Sequence, residues 1–104
     1  MTGAIDITPE QRKALEGLLQ RFIPGVPVWA YGSRVKGTAR ANSDLDLVAF
    51  AAPAQRPLVS ELQEALAESN IPFLVDLHVW ADVPERFHEI IRQEYVVLNG
   101  PLSA

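Results

Sequence analysis

Asp44 and Asp46 stand two residues apart at the head of an apolar run that continues to Phe50. Side chains alternate faces along an extended strand, so both carboxylates project from one side while Leu45 and Leu47 point into a core. Like charges held side by side repel, and each is pushed towards its protonated form unless a cation sits between them. Mg²⁺, a hard ion that takes oxygen ligands, suits such a pair, and at an open site it usually arrives with substrate phosphates. The residues ahead of the pair offer a place for those phosphates. Gly32-Ser33 follows a strand-like stretch; glycine lets the backbone approach an anion closely, and exposed N–H groups and the Ser33 hydroxyl can donate to it. Arg34, Lys36 and Arg40 bring positive charge into the same neighbourhood, the first two as candidate nucleotide contacts. This pattern suits metal-assisted phosphoryl or nucleotidyl transfer, in which catalysis is positioning plus charge neutralisation.

A second metal would need a further carboxylate. Asp76 is the only acid in the stretch Phe73 to Trp80, and an acid in so apolar a strand needs a purpose or a partner. If that strand neighbours Asp44 to Phe50, three carboxylates converge on one face, and the third could bind the metal that activates an attacking hydroxyl. His78 shares the face of Asp76 and reads first as a satisfied structural histidine. Trp29, Trp80, Phe73 and Phe87 read as core rather than as base-stacking platforms. Tyr31 reads as a packing residue, and His88 as an exposed one.

The elements that must hold these groups can be read from periodicity and punctuation. Thr8-Pro9-Glu10-Gln11 has the form of a capping box, and Leu15, Leu18, Leu19 and Phe22 follow on one helical face until Pro24-Gly25 stops it. Val26 to Tyr31 is a strand opened by Pro27. Gly32 to Ser43 is a polar, cationic connection, and Asp44 to Phe50 is the next strand. A second amphipathic helix is marked by Leu58, Leu62, Ala65 and Leu66, and ends at Asn70-Ile71-Pro72. Phe73 to Trp80 is a strand with Val75, Leu77 and Val79 on its apolar face. A third helix carries Val83, Phe87, Ile90 and Ile91, with Asp82 as its cap, and Tyr95 to Leu98 is a last strand. The pattern predicts an α+β, two-layer fold with a small mixed sheet of about four strands and three main helices packed against it.

At 104 residues the chain is read as one domain, residues 1–104, with no repeat or low-complexity tract. A net charge of -4 argues against direct nucleic-acid binding, which draws on clustered Lys and Arg. The absence of cysteine excludes disulfides, zinc-thiolate sites and a thiol nucleophile. With no long apolar run and no leader-like start, no membrane association and a cytoplasmic location are expected.

The central segment resembles the nucleotidyltransferase signature of the DNA polymerase beta superfamily in its minimal, MNT-type form: Gly32-Ser33, ten residues, then Asp44-Leu45-Asp46. Arg34, Gly37, Thr38 and Ser43 fit the same pattern, and Asp76 lies where that family's third carboxylate is expected. The resemblance implies a polymerase beta-like fold and, for a chain this small, the antitoxin half of a HEPN/MNT toxin–antitoxin pair. Such an antitoxin transfers AMP from ATP to a tyrosine of its HEPN ribonuclease partner. By the same resemblance, Gly32 and Ser33 would hold the triphosphate, Asp44 and Asp46 would bridge two Mg²⁺ ions, and Asp76 would bind the metal next to the incoming hydroxyl. The alternatives are an antitoxin that neutralises its partner by contact alone, and the catalytic subunit of a small-molecule nucleotidyltransferase.

Overall fold

The computed structural model describes residues 5–99. The Thr8 hydroxyl accepts from the Gln11 N–H at 3.1 Å, and the Gln11 side chain accepts from the Thr8 N–H at 2.9 Å. This reciprocal cap, with Pro9 in the first turn, starts α1 (Pro9–Phe22), which buries Leu15 and Leu19. Leu18 and Phe22 pack at the edge of the same cluster.

Four strands form one mixed sheet: β1 (Val28–Tyr31), β2 (Leu45–Ala49), β3 (Val75–Val79) and β4 (Val96–Asn99). Their spatial order is β3-β2-β1-β4. β1 runs antiparallel to both β2 and β4, whereas β2 and β3 are parallel. A parallel pair needs a long crossover, supplied by α3 (Arg56–Ala67) between β2 and β3. Between β1 and β2 lies a single-turn helix, α2 (Ser33–Lys36), and α4 (Glu85–Gln93) joins β3 to β4.

Alternation along the strands separates two faces. Val28 and Ala30, Leu45, Leu47 and Ala49, Leu77 and Val79, and Val96 and Leu98 are buried in one cluster with α1 and α3. The opposite face carries Trp29, Tyr31, Asp46, Val48, Asp76 and His78. There α4 buries Ile91, which with Val48 is buried outside the main cluster. Trp80 anchors α4 by stacking on His88, ring centroids 3.8 Å apart, and by lying under the Arg92 guanidinium at 5.2 Å. Trp29 completes this aromatic group, 4.6 Å from Phe50 and 3.8 Å from Tyr95. His88, expected to be exposed, is thus half-buried, and its Nε2 lies 3.0 Å from the Trp80 carbonyl.

Several elements differ from the sequence reading. The connection from Gly32 to Ser43 contains α2, too short to leave a periodic signal. The buried stripe of α3 is Val59, Leu62 and Leu66, while Leu58 is 41% exposed. At about 100° per residue the first three fall within about 60° of one another, and Leu58 lies beyond their edge. Asp82 does not cap α4. It sits in a 3₁₀ turn (Trp80–Asp82) and accepts two 2.7 Å hydrogen bonds from Arg56, so α4 starts after Pro84 with no side-chain cap. Phe87, expected in the core, is 41% exposed. None of the described helices is long and apolar enough to cross a membrane.

The α3 register can be checked by truncation. Leu62→Ala should cost about 2–5 kcal/mol, the range for a fully buried leucine, whereas Leu58→Ala should cost less than about 1 kcal/mol; denaturant unfolding would separate the two.

Candidate active site

β1 ends at Tyr31 and the chain turns at once. Gly32 has φ of 87° and ψ of -158°, a region essentially closed to residues with a Cβ. A Cβ at this position would also collide with Oδ2 of Asp46 and lie 3.3 Å from its Cγ. Glycine is therefore required twice, once for the turn and once for the close approach of this backbone to the carboxylate. Ser33, half-buried, opens α2 directly after it. The Val35 and Lys36 N–H groups both donate to the Gly32 carbonyl at 3.0 Å. Gly37, with φ of 80°, ends the turn by donating to the Ser33 carbonyl.

Sheet register sets the acids. Asp46 pairs with Tyr31 across β1 and β2, and with Asp76 across β2 and β3. The three side chains therefore form a row across three strands, on the face away from the main core. Asp44 lies one residue before β2, is exposed, and is close enough for its charge to act on Asp46. Leu45 and Leu47, both fully buried, fix which way Asp46 points. His78 is exposed, and its Nε2 lies 3.1 Å from Oδ2 of Asp76.

Partial burial raises the Asp46 pKa, and the negative charges of Asp76 and Asp44 raise it further, while His78 lowers it. The Tyr31 phenol is pushed up to about 12, first by burial and then by Asp46 and Asp76. A carboxylate crowded by like charge and short of solvent attracts a cation, and the donors here are all carboxylate oxygens, which suits Mg²⁺. Among the described residues, no three acidic or histidine side chains are clustered into a ready-made metal cage.

The predicted site residues do not all meet. The Gly32 backbone meets Asp46, Asp76 pairs with Asp46, the charge of Asp44 reaches it, and Ser33 directly follows the glycine, whereas Arg34 does not join them. Its side chain is buried, with 5% exposure. Nε donates to the Ser43 carbonyl at 2.9 Å, Nη1 to that of Asp6 at 2.7 Å, and Nη2 to those of Ala41 and Arg40 at 2.9 and 3.3 Å. One face of the guanidinium covers the Phe73 ring at 3.9 Å. Every nitrogen is committed to the backbone, so Arg34 braces the loop leading into Asp44. Lys36 and Arg40 are exposed at the margin. Tyr31, read from sequence first as a packing residue, pairs with Asp46 in the acid row; its place there depends on pairing with β2, which local pattern does not reveal.

The fold is that of a polymerase beta-like nucleotidyltransferase. The family model "Polymerase beta, Nucleotidyltransferase" matches residues 16–100, and the chain belongs to that family. It is 44% identical over 99 residues to a probable protein adenylyltransferase, MntA, of Haemophilus influenzae, covering 91% of this chain and 84% of the relative. The fold also resembles a crystal structure of a toxin–antitoxin with AMP-PNP. That match has a TM-score of 0.61 and 23% identity, over 91% of this chain and 76% of the other. A second likeness is to a complex of a tri-AMPylated Shewanella oneidensis HEPN toxin with its MNT antitoxin: TM-score 0.53, 19% identity, 88% of this chain and 71% of the other.

Two outcomes follow from this geometry. Arg34→Lys keeps the charge but cannot serve four carbonyls, and should cost about 2–4 kcal/mol in denaturant unfolding. Folded Asp46 holds its proton more tightly than an ordinary carboxyl of 3.8, so the native state loses stability as pH rises from that value through the raised one. Asp46→Asn should therefore raise the Tm of metal-free protein at neutral pH. The gain should vanish as the pH is lowered, and ultraviolet titration of the same variant should find the Tyr31 phenol below about 12.

Proposed function

We propose that this chain is a protein adenylyltransferase that transfers AMP from ATP to a tyrosine hydroxyl of a HEPN-family toxin, and so serves as the antitoxin of that pair. The observation that carries this reading is the seating of the Gly32 backbone on the Asp46 carboxylate, with Asp76 in register on the next strand. It puts a turn suited to phosphate beside a graded set of acids. The 44% identity to a probable protein adenylyltransferase supports the choice of a protein acceptor.

In this reading Gly32 and Ser33 hold the triphosphate tail, with Lys36 at the margin as a further cation. Asp44, Asp46 and Asp76 would hold magnesium, two ions in all, which when bound supplies neutralisation of phosphate charge. The acceptor oxygen bonds to the α-phosphorus, and the bond from that phosphorus to the bridging oxygen breaks. Pyrophosphate leaves in line, and the phenolic proton passes to solvent. The row of acids orders the approach, with Asp46 at its centre and Asp76 on the acceptor side.

The test is mass spectrometry of the HEPN protein after incubation with this chain, ATP and Mg²⁺. We expect one or more AMP groups on a tyrosine. The double variant Asp44→Asn, Asp46→Asn should lower the transfer rate by at least about 10³-fold while still binding the partner. An unmodified partner that is nevertheless silenced in the complex would overturn the enzymatic reading in favour of neutralisation by contact.

A further inference from the structure

On the sheet face that carries Asp46 and Asp76, α4 does not close down over the acids. It leaves a groove of about 480 Å³, walled by Val83, Phe87, Ile90 and Ile91 and floored by Tyr31 and His78. Phe87, Ile90 and Ile91 fall at i, i+3 and i+4, so they form one stripe of the helix. The chain itself covers that stripe unevenly: Ile91 is 3% exposed, Phe87 41% and Ile90 50%. Two large apolar side chains left in water, side by side in a concavity, mark a surface made to be covered by something else.

Position narrows what that is. The floor is continuous with the reaction site, because Tyr31 pairs with Asp46 and His78 lies 3.1 Å from Asp76. The groove's floor runs from Tyr31 on β1, beside the Gly32-Ser33 turn where the triphosphate is read to sit, to His78 on β3. An occupant lying over His78 meets Asp76 on the side of Asp46 away from that turn. Its chemistry must be largely apolar. Val83, Phe87, Ile90 and Ile91 offer only carbon, and the Asp82 carboxylate at the rim is already held by Arg56 at 2.7 Å. A purine would find few edge partners here, while a peptide with apolar residues beside its acceptor hydroxyl would match both wall and floor.

We propose that this groove seats the acceptor-bearing segment of the partner toxin, its apolar side chains against Phe87 and Ile90 and its tyrosine hydroxyl turned towards Asp76. The proposal rests on the adenylyltransferase reading above and adds to it the surface that selects the acceptor. It makes α4 the part of this chain that recognises protein, while the glycine turn and the acids handle nucleotide.

The experiment measures AMP transfer to the HEPN-family partner as a function of partner concentration, together with calorimetric binding of ATP·Mg²⁺. The double variant Phe87→Ser, Ile90→Ser should raise the KM for the partner at least tenfold and leave the ATP dissociation constant within twofold. Because both side chains are substantially exposed, the fold should survive, and Phe87→Leu, Ile90→Val, which keeps the groove apolar, should restore the KM to within threefold of the parent. An unchanged partner KM in the Ser/Ser variant would overturn the groove assignment while leaving adenylyl transfer intact. A loss of ATP affinity at unchanged partner KM would assign the groove to the nucleotide instead. Loss of self-association alone would assign it to a second copy of this chain. If the parent protein transfers no AMP to the partner at all, the functional reading falls, and the groove proposal with it.

Discussion

The contact on which the site depends is that of a backbone with a carboxylate: Gly32 lies so close to Asp46 that no side chain can stand between them. β1 must end where β2 begins to carry acid, and the two must run antiparallel in a register that pairs Tyr31 with Asp46. A slip of one residue would turn Asp46 into the main core and Leu45 or Leu47 out of it. Both leucines are fully buried, as is Val28 on the facing strand, so ordinary hydrophobic burial enforces a register on which the chemistry depends. The parallel pairing of β3 then brings in Asp76 without any further device.

That arrangement is electrostatically unfavourable in the unliganded protein. Asp46 is partly withdrawn from water and flanked by Asp76 and Asp44, and the Tyr31 phenol beside it resists ionisation for related reasons. The buried arginine nearby offers no direct relief, since Arg34 spends its hydrogen bonds on carbonyls. Its effect is mechanical. By joining the Asp6 carbonyl to those of Arg40, Ala41 and Ser43, it braces the segment that delivers Asp44, so the acids are held in place despite their repulsion. A site built this way is strained towards cation binding before any ligand arrives.

How much of this could be read from the sequence divides along a physical line. The capping box of α1, the strands, and the acid pair with the Gly32-Ser33 turn ahead of it follow from local spacing, whereas Asp76 belongs beside the pair only on the condition that its strand neighbours theirs, as it does. What local spacing does not contain is pairing. Tyr31 looked like an aromatic that packs, because only register reveals that it faces Asp46. Arg34 looked like a phosphate ligand, because its position beside Gly32-Ser33 is visible while the carbonyls that consume it come from Asp6 and from the loop after Gly37. Leu58 stood in for Val59 because apolar spacing alone locates a helical stripe only to within a residue. Asp82 has the right chemistry for a cap but lies in its own 3₁₀ turn, where Arg56 claims it.

The uneven cover on α4 follows from the same separation of faces. His88, Ile91 and Arg92 lie within about 100° of one another around the helix, and Trp80 and the second sheet face hold them. Phe87 and Ile90 lie about 40° and 100° beyond Ile91, on the side away from His88 and Arg92, so the packing that anchors the helix is what presents them to solvent. Trp29, Phe50 and Trp80 fill the end of the face remote from Asp46 with aromatic rings. Pinning the helix by its other flank secures it through aromatic stacking while the acids stay open, and it leaves an apolar wall facing them.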